Sequence, residues 1–138
     1  MSNKAYKDTE GIIWPRSTAY WRLGFALVYA GIIFAFSSIP GEHLPSVEVS
    51  DKLLHAIEFG GLTLLLCRAF RVFAPMSARH RIAVIGIVVT ICYGIVDEAH
   101  QLLVAHRVAD MADLAADGFG ALLTGWGWWW AGARWPWF

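Results

Sequence analysis

The 138-residue sequence has little charge and little cysteine. Only 16% of its residues are Asp, Glu, Lys or Arg, and eleven acidic residues balance eleven basic ones. This balance excludes the basic surface that a nucleic-acid-binding protein needs. The two cysteines, Cys67 and Cys92, both lie inside apolar runs, so we expect two small buried residues and no disulfide framework.

Nucleotide-binding and zinc-binding motifs are also missing. The letters Asp97-Glu98-Ala99-His100 match the magnesium-binding box of helicases, but no G-x-x-x-x-G-K-[ST] loop occurs in the chain. The acidic box works only beside such a loop, because the nucleotide's phosphates share the magnesium ion. We therefore predict no helicase activity and no nucleic-acid partner. An H-E-x-x-H zinc motif is absent as well.

Apolar residues dominate the chain instead. They make up 57% of the sequence, and the mean hydropathy is +0.49. Four long apolar segments are expected at about residues 21–39, 52–70, 81–105 and 111–131, each long enough to cross a hydrocarbon core of about 30 Å at about 1.5 Å per helical residue. The predicted fold is all-α, a multi-pass membrane protein with a bundle of four transmembrane helices.

Charges between these segments predict the orientation in the membrane. The link between the second and third segments is basic and contains Arg68, Arg71, Arg79 and Arg81. The link between the first and second segments is mostly acidic and contains Glu42, Glu48, Asp51 and Lys52. Because positively charged loops stay in the cytoplasm, both termini are predicted to be cytoplasmic. The eight tryptophans lie near the same predicted boundary, which is typical of an aromatic belt.

The chain is expected to have three parts. Residues 1–18 form a polar cytoplasmic segment, residues 19–131 form the four-helix transmembrane domain, and residues 132–138 form an aromatic interfacial tail.

Polar residues of three predicted helices fall within about 12 Å of the outer surface, by the helical rise. An isolated charge at the bilayer centre costs about 2.5 to 3.5 kcal/mol on insertion scales, so these groups should face one another or a wet cavity. We predict a ligand-binding polar cluster of Asp51, Lys52, His55, Glu58, Asp97, Glu98, Gln101, Arg107, Asp110, Asp113 and Asp117. The alternative is that these polar residues only hold the helices together by contacts with one another.

Single residues of this cluster suggest chemistry. His55 and Glu98 are candidate catalytic acid–base groups, although His55 is equally explained by one hydrogen bond between helices. His55, Glu58 and Glu98 are candidate ligands of a divalent metal ion, because such residues on facing helices form metal centres in bundles. No other cofactor is indicated. Arg107 has a planar fork suited to a carboxylate or a phosphate. His100 is predicted to point away from the cluster.

Five short motifs occur in order over residues 21–131: Ser38-x-Pro40-Gly41, Asp51-Lys52-x-x-His55, Glu98-x-x-Gln101, Arg107-x-x-Asp110-x-x-Asp113, and Gly118-x-Gly120 with Gly125. Together they resemble the VanZ-like family of small membrane proteins, named after a teicoplanin-resistance determinant. The chain has Ala105-His106 where the family often has Pro-Gly, and Asp117 where it often has Asn. The resemblance implies a link to the cell envelope and to glycopeptide resistance, and it implies no particular reaction.

Three functions remain open, and the sequence does not decide whether the chain is an enzyme. The first is a binding protein of the bacterial cytoplasmic (inner) membrane that takes an envelope lipid, a lipid-linked cell-wall precursor or a glycopeptide-like amphiphile. The second is an enzyme that acts on such a lipid through His55 and Glu98. The third is a small transporter coupled to protons or ions. We favour the first, because no nucleophile is recognisable. The oligomeric state is not indicated.

Overall fold

The structure is a computed structural model, which describes residues 6–7, 13–14, 16–43, 50–74 and 77–132. Most of the predicted N-terminal segment and nearly all of the aromatic tail lie outside these residues. A short antiparallel pairing joins β1, Tyr6–Lys7, to β2, Ile13–Trp14. The main elements are the helices α1, Arg16–Ser37; α2, Asp51–Phe73; α3, Arg79–Gln101; and α4, Met111–Gly132. Apart from the short pairing, the described fold is all-α, as predicted.

Three of the helices are long and apolar enough to cross a membrane: α1 from Tyr20 to Ser37, and the whole of α2 and α3. A helix of 23 residues is about 35 Å long, against a hydrocarbon core of about 30 Å. Large apolar side chains lie exposed on their outer faces, among them Phe25 at 65%, Ile57 at 59% and Val88 at 52%. Such a surface suits lipid rather than water. The chain is therefore a membrane protein.

The fourth helix differs from the other three in its fitness to cross a membrane. α4 has 22 residues and includes Asp113 and Asp117. It is not among the three helices that are apolar enough to span by themselves. α4 nevertheless packs along α2 and α3. Its crossing of the membrane and the cytoplasmic orientation of the termini stay predictions.

α2 lies at the centre of the bundle and contacts the other three helices. On the side of α1, Phe59, Leu62 and Leu66 of α2 form a buried apolar cluster with Ala26 and Ile33. Because α1 contacts mainly α2, most of its remaining surface is exposed apolar residues. The bundle is therefore built around α2, with α1 at its edge.

Toward the basic end of the bundle, Cys67 is buried against α3 and α4 together with Ile82 and Trp128. Trp128 is 2% exposed, and the Arg79 guanidinium lies 5.3 Å from its ring centroid. Trp128 is therefore a core residue and not part of a lipid-facing belt. Cys92 is exposed on α3, so the prediction that both cysteines are buried is wrong for Cys92, which lies on the outer face of that helix. Both thiols are free.

α2 and α4 approach each other closely where two glycines meet. A Cβ on Gly120 would overlap the carbonyl oxygen of Ala56, and a Cβ on Gly60 would lie 2.8 Å from Thr124 Oγ1. Small residues are common where helices pack inside lipid, because they let the main chains approach. This crossing brings the first turns of α2 and α4 together, and most of the polar residues lie there.

Candidate functional site

The polar residues meet at one end of the bundle. Consecutive helices alternate in direction, so α1 and α3 end beside the starts of α2 and α4. We define the acidic cluster as nine residues of this end: Asp51, Lys52 and His55 of α2; Asp97, Glu98 and Gln101 of α3; Asp110, which precedes α4; and Asp113 and Asp117 of α4.

Lys52 connects the exposed edge of the cluster to its interior. Its Nζ donates to Asp110 Oδ2 at 2.9 Å and to Asp113 Oδ1 at 2.5 Å, and it lies 4.0 Å from Asp51 Oδ2. The side chains of Asp51, Asp110 and Lys52 are 65%, 47% and 44% exposed, whereas that of Asp113 is 9% exposed. The hydrogen bond from Lys52 lowers the pKa of Asp110. The cluster is thus open at its edge and closed beneath it.

His55 is buried between two carboxylates of α4. Its Nδ1 lies 2.9 Å from Asp117 Oδ1, and its Nε2 lies 3.9 Å from Asp113 Oδ2. Asp113 and Asp117 are one helical turn apart, so they can face α2 together. A carboxylate that fixes one ring nitrogen also fixes the orientation of the imidazole. The arrangement therefore suits either proton transfer or metal binding.

Glu98 joins the end of α3 to the start of α4. Its Oε2 accepts a hydrogen bond from the main-chain N–H of Asp110 at 2.8 Å, and Asp110 Oδ1 accepts one from the N–H of Ala112 at 2.8 Å. Asp110 thereby caps α4, at a position where aspartate is favoured. The same contacts hold the Glu98 carboxylate in place.

Asp97 lies on the side of the cluster next to α1. Its Oδ2 accepts hydrogen bonds from Ser37 Oγ at 2.6 Å and from Gln101 Nε2 at 3.2 Å, and all three residues are buried. Sequence reasoning did not include Ser37 in the cluster. The sequence could have indicated this contact, because Ser37 is a polar residue at the end of an otherwise apolar stretch, one helical turn before the Pro40-Gly41 break.

Some carboxylate oxygens of the cluster are buried without a partner. Among the described residues, Asp97 Oδ1, Glu98 Oε1 and Asp117 Oδ2 accept no hydrogen bond. A buried polar atom without a partner is costly, and a charged one more so. Asp117 Oδ2 lies against α3, where it would be 2.9 Å from a Cβ placed on Gly94. Gly94 therefore leaves room for the Asp117 carboxylate.

Glu58 and Arg107, which were predicted to belong to the cluster, take other positions. Glu58 is half-buried on α2, and no hydrogen bond or ion pair among the described residues joins it to the cluster. Arg107 donates through Nε to the carbonyl of Ile39 and through Nη2 to that of Phe36, both at 3.3 Å. Arg107 thus ties the α3–α4 connection to the end of α1. Ligand binding by either residue stays a prediction.

Two histidines near this end lie outside the acidic cluster. His100 stacks on Phe34 of α1 with ring centroids 4.2 Å apart, and its Nε2 lies 3.0 Å from Ser38 Oγ. His106 is exposed, with its Nε2 3.7 Å from Glu42 Oε2 and a left-handed backbone φ of 58°. His55 is therefore the histidine that the described helices place inside the cluster.

Two sets of three residues could bind a cation. One ligand atom from each residue lies within 4.8 Å of the other two in the sets Asp51, His55, Asp113 and His55, Glu98, Asp117. The predicted metal ligands His55, Glu58 and Glu98 do not form such a set, because Asp117 of α4 takes the place assigned to Glu58. Glu58 is in neither set, whereas Asp117 faces His55 across the crossing with 2.9 Å between Oδ1 and Nδ1.

The sequence matches the VanZ/LLP1 family model over residues 12–132. The chain belongs to the VanZ/LLP1 family. The match confirms the resemblance expected from the motifs and includes every residue of the acidic cluster. Comparison with curated proteins gave no match, and comparison with solved structures gave none. Together with its apolar helices, this membership makes the chain a VanZ-like membrane protein.

Proposed function

We propose that this VanZ-like protein lies in the bacterial cytoplasmic membrane and uses the acidic cluster to bind the ammonium group of an envelope lipid or amphiphile. The observation that carries the proposal is the charge balance. The cluster contains six carboxylates but only one lysine and one histidine. A cationic group can pair with several carboxylate oxygens at once, whereas a phosphate would be repelled.

Lys52 supports an ammonium ligand in particular. Its Nζ is itself an ammonium group, and it is held by Asp110 and Asp113 at 2.9 and 2.5 Å. A ligand ammonium could lie beside Lys52 at the open edge, where Asp51 is 65% exposed. The edge is at the end of the helices, which is the depth of lipid headgroups.

A phosphate-bearing cell-wall precursor is less well supported. Its most suitable partner would be Arg107, whose guanidinium donates to the carbonyls of Phe36 and Ile39. Those bonds leave the fork directed at α1 and not at the carboxylates. Glycopeptide resistance, which the family resemblance implies, would follow from binding a cationic amphiphile at the outer leaflet, where lipid-linked cell-wall precursors are exposed.

The test is native mass spectrometry of the purified full-length protein in mixed micelles of phosphatidylethanolamine and phosphatidylglycerol with matched acyl chains. Both lipids have a phosphodiester, and only the first has an ammonium group. Wild-type protein is expected to retain phosphatidylethanolamine in preference. Asp113→Asn is expected to abolish the preference, and Lys52→Met to increase it, because Lys52 no longer competes for the carboxylates.

The matched control is Glu42→Gln, which removes one carboxylate at the same end of the bundle but outside the cluster. It should retain the wild-type preference. Equal retention of the two lipids by wild-type protein, or a preference that survives Asp113→Asn, would contradict the proposal.

A second candidate function is an enzyme that acts on a lipid or lipid-linked substrate. It is favoured by the buried pair of His55 and Asp117, with 2.9 Å between Nδ1 and Oδ1, which is an arrangement that general bases use. No serine, threonine or cysteine of the described chain is hydrogen-bonded to His55, so water would be the nucleophile. Turnover of a lipid extract by wild-type protein but not by His55→Gln would support this function.

A further inference from the structure

We infer that His55, Glu98 and Asp117 bind one divalent transition-metal ion, Zn²⁺ or Mn²⁺, beneath the open edge of the acidic cluster. These three residues are the inner trio. They come from three different helices, α2, α3 and α4, so the ion would hold the cluster end of the bundle together. The site deepens the proposed function and rests on it, since it assigns an occupant to the inner part of the same cluster.

The positions of the ligand atoms support the inner trio. One nitrogen or oxygen atom of each residue lies within 4.8 Å of the other two. Ligand atoms around a zinc ion with bonds of about 2.0 to 2.2 Å are about 3.4 Å apart. Small changes of side-chain torsion would close this difference, without any movement of the helices.

The unpaired oxygens point independently to a cation. Glu98 Oε1 and Asp117 Oδ2 are buried and accept no hydrogen bond within the described part of the chain, and the two residues are 6% and 0% exposed. Two neighbouring buried carboxylates cannot both stay ionised without a counter-charge. A divalent ion would provide that charge and a ligand position for each oxygen.

The surroundings of His55 also suit a metal ligand. A histidine that binds a metal through one ring nitrogen usually donates the other N–H to a carboxylate. In His55, Nδ1 lies 2.9 Å from Asp117 Oδ1, while Nε2 faces Asp113 Oδ2 at 3.9 Å. Nδ1 would therefore bind the ion, and Nε2 would face Asp113 without a hydrogen bond at the present distance.

The chemistry of the inner trio selects the class of metal. One imidazole and two carboxylates suit Zn²⁺ or Mn²⁺ better than Ca²⁺, which takes six to eight oxygen ligands, or Cu⁺, which prefers sulfur. Three protein ligands would leave a coordination position for water. The other set, which contains Asp51 and Asp113, is a weaker candidate because Lys52 already binds Asp113.

The experiment uses the full-length protein in detergent, stripped with a chelator and then titrated with MnCl₂ alone. Electron paramagnetic resonance would count bound Mn²⁺, and its pulsed form would detect an imidazole nitrogen on the ion. We expect one Mn²⁺ per wild-type chain with a nitrogen coupling. The coupling should disappear in His55→Gln, and the Kd should rise at least tenfold in Glu98→Gln and Asp117→Asn. Zn²⁺ should displace the bound Mn²⁺.

The matched control is Asp97→Asn, because Asp97 is also a buried carboxylate with an unpaired oxygen but lies outside the inner trio. It should bind Mn²⁺ as wild-type protein does. Absence of stoichiometric Mn²⁺, bound Mn²⁺ without nitrogen coupling, or an equal loss in Asp97→Asn would each overturn the inference. The wild-type spectrum tests the metal site even if a variant fails to fold.

Lipid retention separates this inference from the proposed function. If wild-type protein takes up no Mn²⁺ but metal-free protein still prefers phosphatidylethanolamine, the metal site is overturned and the proposed function remains. If wild-type protein binds stoichiometric Mn²⁺ but shows no lipid preference, the proposed function is overturned and the metal site remains.

Discussion

At the scale of single residues, the contact between Lys52 and Asp113 pairs a nearly enclosed carboxylate with a cation at the start of α4. Asp113 is almost enclosed, with 9% of its side chain exposed, while Lys52 is 44% exposed and reaches it from α2 at 2.5 Å. The lysine therefore keeps its ammonium group near solvent and still pairs with a buried acid, as long side chains near helix ends commonly do.

Removing only one partner of this pair should destabilise the protein, and removing both should cost less than the sum. Lys52→Met leaves the Asp113 carboxylate without its cation, and Asp113→Asn leaves Lys52 with only Asp110 and Asp51. In a double-mutant cycle we expect a coupling energy clearly larger than that of an exposed ion pair. Reversible unfolding in mixed detergent micelles measures it.

Lys52 and Asp51 provide the control cycle, because they are 4.0 Å apart and Asp51 is 65% exposed. Their coupling energy should be close to zero, as for other exposed pairs. A coupling between Lys52 and Asp113 no larger than that of the control would show that the buried contact contributes nothing specific.

At the scale of helices, the crossing of α2 and α4 depends on Gly120. Its missing side chain lets the main chain of α4 lie on the carbonyl of Ala56. We expect Gly120→Ala to push the two helices apart and to lower the free energy of unfolding by about 1 to 3 kcal/mol, as overpacking does elsewhere. Thermal unfolding in detergent, followed by circular dichroism, tests this.

Gly118 supplies a control on the same helix, since a Cβ there would meet nothing within 4 Å. Gly118→Ala should leave stability unchanged or raise it by about 0.5 to 1 kcal/mol, because alanine favours helix more than glycine does. If both variants were equally stable, the close approach of α2 and α4 would not depend on Gly120.

At the scale of the whole molecule, the two ends of the bundle differ in charge. The acidic cluster lies at one end, whereas Arg68 and Arg71 near the end of α2 and Arg79 and Arg81 at the start of α3 lie at the other. Because basic segments stay in the cytoplasm, the cluster is predicted to face outward. Single cysteines introduced by Glu42→Cys and His80→Cys into a Cys67→Ser, Cys92→Ser background should report this orientation.

A membrane-impermeant maleimide should label the Glu42→Cys protein in intact spheroplasts and the His80→Cys protein only after lysis. Denatured samples labelled in parallel would correct for differences in thiol reactivity. Labelling of His80→Cys in intact spheroplasts would reverse the predicted topology and place the acidic cluster in the cytoplasm.

Several properties could be predicted from the sequence alone, because they depend on the local order of residues. The apolar segments predicted the class of protein and the helices to within a few residues at most ends: the second segment was expected at about 52–70, and α2 is Asp51–Phe73. Helical spacing placed His55, Asp97, Glu98, Asp113 and Asp117 at one depth, and the structure brings these residues to one end of the bundle.

Only the tertiary structure decided which of these groups contact one another. Asp117, and not Glu58, lies beside His55, and Arg107 turns to the carbonyls that end α1. These contacts depend on the rotation and crossing of the helices, which are determined by close approach at positions such as Gly60 and Gly120. A one-dimensional pattern gives the depth of a side chain in the membrane, but not the neighbour that it faces across the bundle.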